Sequence, residues 1–309
     1  MRFAISIPDL IPDGTFDPDS LRSFLNRAEQ LGFESAWTQE MVFGHVGRLA
    51  PLDLLTFAAA SNPRLGLGCA VLLSTFHSPV HLAKSLLTID QLSRGRLEIG
   101  VATGATKGRQ MLAYGVRAED VGRRFEEGIR LMQALWTQPT VNFAGEFWQV
   151  EDAAFEPKPF QKPRPPLWFG GHSPKALRRA VALGDGFFGA GSQTTQAFAA
   201  QVDVIRNALA AAGRDPGSFK LAKRVYTAID DDTGKARERV AAAFAELGRY
   251  SGGQMPDLTP VALYGDADAC EAGLREVAAA GAELILLTPL FDEEEQMERL
   301  GTEVLPRFA

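Results

Sequence analysis

The chain has 309 residues, of which 46% are hydrophobic and 23% charged, and a net charge of −6; such a composition supplies an ample globular core. The acidic balance, with no concentrated basic stripe, speaks against a nucleic-acid partner. No apolar run reaches the roughly 18 to 20 residues of a membrane span, and the opening MRFAISIPDL has no signal-peptide pattern, so no membrane association and a cytoplasmic location are expected.

Strand and helix signals alternate along the whole chain. FAISI (residues 3–7) reads as a strand and LRSFLNRAEQLG (21–32) as an amphipathic helix closed by glycine. ESAWT is the second strand, PLDLLTFAAA a helix, and LGLGCAVLL (65–73) the third strand. Ser78-Pro79 opens a helix through Gln91, with serine as the expected cap and proline at the first helical position, and RLEIGVA from Arg96 is the fourth strand. Residues 117–136 are helical in pattern. The proline-rich, aromatic stretch 139–166 contains VNFAGEFWQV, two β-like runs about Ala144-Gly145, which predicts a hairpin insertion between strands four and five. LWFG, GFFGA, KLAKRVYTAI and AELILLT follow as strands five to eight, with helices over 174–183, 194–211, 233–247 and 266–280. Eight such units in this order predict one α/β domain folded as a TIM (β/α)8 barrel, with an open doubly wound sheet as the alternative.

Cys69 and Cys270 lie far apart without metal-ligand spacing, and His45, His77, His81 and His172 form no HExxH pattern. Free buried thiols and no metal site are therefore expected. The glycines of GVATGATKG do not fit GxGxxG, which argues against a dinucleotide site. The corner in RPPLWFGGHSPKALRRA (164–180) carries more chemistry. A buried apolar strand runs through Gly170 and Gly171 into His172, the capping residue Ser173 and Pro174 at the helix start. Glycines let a ligand approach the main chain, and free amides at a helix N-terminus attract an anion. A plain strand-to-helix turn is the alternative on these residues alone.

Several blocks together resemble the luciferase-like family of flavin- and deazaflavin-dependent oxidoreductases: HLAKSLLTIDQLSRGRLEIGVATG (81–104), YGV (114–116), RRFEEGIRLMQALW (123–136) and FEPKPFQKPRPPLWFGGHSPKALRRAVALGDGFFG (155–189). The resemblance implies a modified TIM barrel binding FMN or coenzyme F420 at the carboxyl ends of the strands, a small organic substrate, and a homodimer. It also implies that Gly170, Gly171, His172 and Ser173 hold the cofactor phosphate with Arg123 as side-chain partner, and that Gly191, in GAGS after strand six, contributes to that site. By the same resemblance Ala70-Val71 is a cis peptide in a bulge of strand three against the ring, and Thr103 touches the ring or its side chain.

One departure from the family pattern concerns catalysis. Relatives carry an acidic residue followed by histidine after strand two, whereas this chain reads TQEMVFGH, with Glu40 followed by Met41. Met41 cannot act as a general acid or base, so Glu40 is the expected catalytic residue, with His45 returning to the site from the same loop. Sugar-phosphate dehydrogenases of the family have a glutamate where Ala105 stands, which argues against sugar-phosphate oxidation. The compact length and the MRFAISIPD opening look more like the F420 branch. The expected activity is hydride transfer between F420 and a small organic substrate. The alternatives are an FMNH2-dependent monooxygenase using oxygen, a non-catalytic flavin-binding barrel and a redox-free enzyme acting on a phosphorylated metabolite. Substrate contacts are expected from residues 42–51, 105–112 and 248–260.

Overall fold

The computed structural model describes residues 1–11, 14–104, 109–250 and 257–308. Ala105 and parts of the segments 105–112 and 248–260 lie outside the described residues. Eight parallel strands form the barrel: β1 (Arg2–Ser6), β2 (Ser35–Thr38), β3 (Gly66–Leu72), β4 (Leu97–Val101), β5 (Leu167–Gly170), β6 (Gly186–Gly189), β7 (Lys220–Ile229) and β8 (Leu284–Pro289). Neighbours follow chain order from β1 to β6, β8 lies between β1 and β7, and pairing of β6 with β7 closes the cylinder. The doubly wound alternative is thereby excluded, because an open sheet leaves two free edges. A short strand not anticipated from the sequence, Leu263–Gly265, extends the sheet beside the end of β7.

The strands are apolar runs because a closed parallel sheet is covered on both faces. All four residues of β2 and all six of β8 are buried. Helices pack around the outside: α1 (Pro18–Gln30), α2 (Pro51–Ser61), α3 (Pro79–Ser93), α4 (Val121–Thr137), α5 (Pro174–Leu183), α6 (Thr195–Ala211), α7 (Thr233–Tyr250), α8 (Ala267–Ala279) and α9 (Glu293–Arg299). Four of these begin with proline in the first turn, where its missing N–H costs nothing. Ser173 caps α5, its Oγ accepting from the Ala176 amide at 3.2 Å. Ser78 stands at the equivalent point of α3 but makes no capping bond, so there the proline alone marks the start.

The hairpin insertion is present between β4 and β5, with Thr140–Ala144 antiparallel to Gln149–Ala154. Glu127 of α4 fastens it. Its carboxylate accepts from the amides of Glu146, Phe147 and Trp148 at 2.9, 2.8 and 2.9 Å.

The barrel interior is filled by Trp37, Trp168 and Phe188 with Ala4, Ala222, Leu284 and Leu286. The Trp37 and Phe188 rings are 4.9 Å apart and the Trp168 and Phe188 rings 5.9 Å. Both indole N–H groups are satisfied, Trp37 by Ser35 Oγ at 2.8 Å and Trp168 by Glu98 Oε2 at 2.7 Å, as buried indoles require. This plug supports the mouth of the barrel from beneath.

Above the plug β3 bulges: its pairing with β4 shifts register between Cys69 and Leu72. The peptide joining Ala70 and Val71 is cis, as the resemblance implied. The bulge has room because β4 carries Gly100 opposite it, where a Cβ would lie 2.2 Å from the Cys69 carbonyl oxygen. Cys69 and Cys270 are free and buried, as expected, and burial pushes both thiols up, that of Cys270 to about 12.

Two substitutions test this description. Gly100→Ala forces backbone apart and should destabilise the fold by about 1–3 kcal/mol or more, read as a lower denaturant midpoint. Ser173→Ala should cost about 1 kcal/mol through its lost cap, whereas Ser78→Ala should leave the midpoint within error; equal effects would contradict the capping assignment.

Candidate active site

The carboxyl end of β2 delivers Gln39 and Glu40 to the mouth of the barrel. The Glu40 backbone N–H donates to the Val71 carbonyl at 3.4 Å, which ties this turn to the β3 bulge. The Glu40 side chain is only 5% exposed. A carboxylate buried to that extent needs partners, and it has two: the Leu73 amide donates to Oε2 at 2.5 Å, and His77 Nε2 lies 2.7 Å from Oε1. His77 stands just before α3 and was not singled out in the sequence. Its 37-residue separation from Glu40 is bridged because β2 and β3 are neighbours in the barrel.

The histidine expected from the 41–47 loop, His45, is exposed. It lies in the bend before a two-residue ladder in which Leu10 pairs with Arg48 and Ile11 with Gly47. Val46 and Arg48 line the mouth, whereas His45 lines neither cavity there. The imidazole meeting Glu40 is therefore that of His77.

Two cavities meet at the mouth. The larger, of about 280 Å³, is bounded by Asp9, Gln39, Glu40, Met41, Arg48 and Glu293 among others. The smaller, a slot of about 190 Å³, is walled by Ala70, Val71, Ala102, Phe188 and the main chain at Gly170 and Gly191. Arg224 and Tyr226 from β7 line both. Arg224 donates from Nε to Thr288 Oγ1 at 3.0 Å and from Nη1 to Gln39 Oε1, and its guanidinium lies 5.2 Å from the Tyr226 ring centre. All three of these partners are uncharged. Neither arginine nor the tyrosine was legible as a site residue: KLAKRVYTAI reads as an ordinary barrel strand.

At the far end of the slot is the corner singled out in the sequence. Gly171 has φ +140°, and a Cβ there would sit 2.7 Å from the Ala176 Cβ; at Gly170 it would press the Val71 side chain at 3.1 Å. Both glycines are thus required by conformation or close approach. Ser173 accepts from Ala176 at the helix start, leaving its own hydroxyl proton free, and His172 and Ser173 are exposed. Gly191 packs against Tyr226, where a Cβ would come within 2.8 Å of the ring. Its loop is held by buried Lys223, whose Nζ donates to the carbonyls of Gln193 at 2.8 Å and Ala190 at 3.2 Å; burial pushes this amine down to about 8.

Two expected contributors sit differently. Arg123 gives its guanidinium to Asp120 and to Glu146 of the hairpin insertion, and among the described residues it has no hydrogen bond to the 170–173 corner. Two carboxylates have already engaged its charge. In the β4 exit Ala102 faces the slot, while the Thr103 hydroxyl donates to the neighbouring Gly104 carbonyl at 3.3 Å. Tyr114, from the YGV block, stacks on Phe76 with ring centres 5.2 Å apart; burial first, and the charge of Glu40 second, raise its phenol above the ordinary value. Among the described residues no group of three or more His, Cys, Asp or Glu side chains could hold a metal ion, and no helix is long and apolar enough to cross a membrane.

The Glu40–His77 pair lends itself to a direct test. His77→Ala removes one of the two partners of a buried carboxylate, so proton-linked turnover should fall at least tenfold, while His45→Ala should change it less than twofold; comparable losses in the two variants would refute the pairing.

A sequence model of the family described as luciferase-like monooxygenase matches residues 1–297. The chain is 32% identical over 238 residues to an FMNH2-dependent dimethylsulfone monooxygenase of Pseudomonas putida, covering 75% of this chain and 64% of that protein. It is 28% identical to an F420-dependent glucose-6-phosphate dehydrogenase of Kineococcus radiotolerans, over 72% of this chain and 68% of the relative. Among solved structures, a monooxygenase from Streptomyces bottropensis superposes with a TM-score of 0.86 at 22% identity over the full length of both chains. An F420-dependent secondary alcohol dehydrogenase superposes with a TM-score of 0.84 at 17% identity, over 100% of this chain and 99% of the other. The match of a single family model to nearly the whole barrel, mouth included, establishes that the chain belongs to the luciferase-like monooxygenase family.

Proposed function

We propose that the chain is an oxidoreductase that holds the ring of coenzyme F420 or FMN in the slot between the β3 bulge and Gly191, and that it transfers hydride between F420 and a small organic substrate in the adjoining cavity. The observation that carries this reading is the junction itself: an apolar slot and a polar cavity share Arg224 and Tyr226, with Glu40, hydrogen-bonded to His77 behind it, on the cavity side. The residues present fit such a cofactor. Ala70, Val71, Ala102 and Phe188 offer flat apolar walls to a ring. The absence of side chains at Gly170 and Gly171 leaves main-chain amides open at the start of α5 for a phosphate, helped by about half a positive charge from the helix end.

When bound, the ring supplies the redox chemistry. The chain supplies position and protons. Gly170, Gly171, His172 and Ser173 would take the phosphate, and the Ser173 hydroxyl has a proton to donate to it. Glu40 and His77 share a hydrogen bond through Oε1 and Nε2, so a proton can be held there and passed to or from a substrate oxygen in the cavity. Arg224, braced by Gln39 and Thr288, orients polar atoms at the boundary.

The FMN-dependent monooxygenase is the second reading, favoured by the name of the Pseudomonas putida relative. A non-catalytic barrel is disfavoured by the intact acid–imidazole pair. A redox-free phosphometabolite enzyme has no use for the apolar slot. A homodimer in the cytoplasm, with no nucleic acid or membrane partner, completes the proposal and rests on the resemblance and on composition.

Titration of the protein with oxidised F420 and with FMN, followed by fluorescence, separates the cofactors, and binding of neither would overturn the reading. Gly171→Glu places bulk and negative charge in the phosphate space. Each charge-assisted hydrogen bond lost is worth about 1.5–3 kcal/mol, so affinity should fall by at least tenfold; a folded variant with unchanged affinity would make the corner a plain turn. Glu40→Gln should lower turnover at least tenfold while cofactor affinity changes less than threefold. Equal effects on both would remove Glu40 from catalysis.

A further inference from the structure

The larger cavity contains a charge that the protein itself leaves unfinished. Arg48, on the short Gly47–Arg48 strand, has a side chain only 5% exposed and lines the cavity. Its Nη2 lies 3.4 Å from Asp9 Oδ1, a long ion pair. Its Nε and Nη1 are buried and have no hydrogen-bond partner. Asp9 is meanwhile engaged elsewhere, its Oδ2 accepting from Thr38 Oγ1 at 2.8 Å. Orphaned donors on a buried cation are costly, and a guanidinium cannot escape the cost by losing its proton.

The surrounding groups set the charge of what would complete it. Arg224 lines the same cavity and is bonded only to uncharged partners, Gln39 and Thr288. Of the carboxylates, Asp9 pairs with Arg48 and Glu40 with His77. Glu293 is the third acid lining the cavity, and burial, first among its influences, raises its carboxyl above the ordinary value. Two guanidiniums thus line one cavity, and that of Arg48 holds buried donors without a partner. A dianion would bring excess negative charge against Asp9 and Glu40.

Resting on the ring-slot reading above, we infer that the cavity takes a monoanionic organic acid, a carboxylate or a sulfonate, an oxygen of which accepts from an unpartnered Arg48 N–H, at Nε or Nη1, while its carbon skeleton extends toward the Arg224–Tyr226 boundary of the slot. Arg48 is then the specificity-determining residue. A volume of about 280 Å³ restricts the substrate to a small molecule, at the lower end of common ligand sites. Neutral analogues are rejected because they leave the buried cation unpaired.

Calorimetric titration of the wild-type protein, alone and saturated with whichever of F420 or FMN it binds, with benzoate, methanesulfonate, benzamide and inorganic phosphate provides the test. Benzoate or methanesulfonate should bind at least tenfold more tightly than benzamide, and on the cofactor-saturated protein, whose corner is then occupied, phosphate should bind no more tightly than the better of the two. In Arg48→Met the preference for the acid over benzamide should vanish, Arg48→Lys should keep part of it, and cofactor affinity should stay within threefold of wild type in both. Equal binding of benzoate and benzamide by the wild type, binding of neither acid, tighter binding of phosphate by the cofactor-saturated protein, or an acid preference surviving in folded Arg48→Met would each overturn the inference. The wild-type comparison decides even where the variant does not fold. Failure of the ring-slot reading is a separate result, seen as absence of F420 and FMN binding, while the anion comparison is still read on the protein alone.

Discussion

The site hangs on one close approach, that of the Cys69 carbonyl to the bare α-carbon of Gly100. Any side chain at that point of β4 would meet backbone, and backbone cannot rotate aside. With the space free, β3 departs from register and projects Ala70 and Val71 into the mouth. The Val71 carbonyl then receives the Glu40 amide, and the next residues of the same chain supply the Leu73 amide and the His77 imidazole to the Glu40 carboxylate. One irregularity thus supplies a wall of the slot and both partners of the buried acid. The aromatic plug beneath makes the irregularity tolerable, because Phe188 belongs both to that plug and to the slot wall.

A mouth whose charged side chains are largely buried has to satisfy them individually. Glu40 is hydrogen-bonded by an imidazole and an amide, Asp9 by a threonine hydroxyl with a guanidinium at longer range, and Arg224 by neutral oxygens. These differ in kind. The Glu40 arrangement is complete in the chain alone, each carboxylate oxygen having a hydrogen-bond partner. The Arg48 arrangement is incomplete, and completing it needs a group from outside. Both arrangements line the same cavity, on the cavity side of the Arg224–Tyr226 boundary with the slot.

What could be read from the sequence follows the range of the interactions. The strand and helix alternation, the hairpin about Ala144-Gly145 and the Gly170–Pro174 corner are local signals, and all three appear where the residues put them. His77 escaped notice because nothing near it in the chain marks it; its role is created by the pairing of β2 with β3. Arg48 and Arg224 were hidden by their contexts, a two-residue ladder and a long strand. His45 lies close to Glu40 in sequence, but it is exposed in the bend before the ladder and lines neither cavity. Arg123 shows the converse: the block containing it marks α4 correctly, yet the insertion that follows supplies Glu146 and captures its charge.

The capture of Arg123 has a consequence for how an anion would be held at the corner. With that guanidinium bound to Asp120 and Glu146, the proposed attraction there would depend on main-chain amides, His172, the Ser173 hydroxyl and the α5 dipole. Such dipoles need no reorganisation to receive a charge, and they act only over the first turn of the helix. On the proposed reading the corner would therefore recognise a phosphate without sensing what is attached to it. On that reading discrimination between ligands would arise from the slot walls for a ring and from Arg48, on a separate strand and away from the corner, for a substrate.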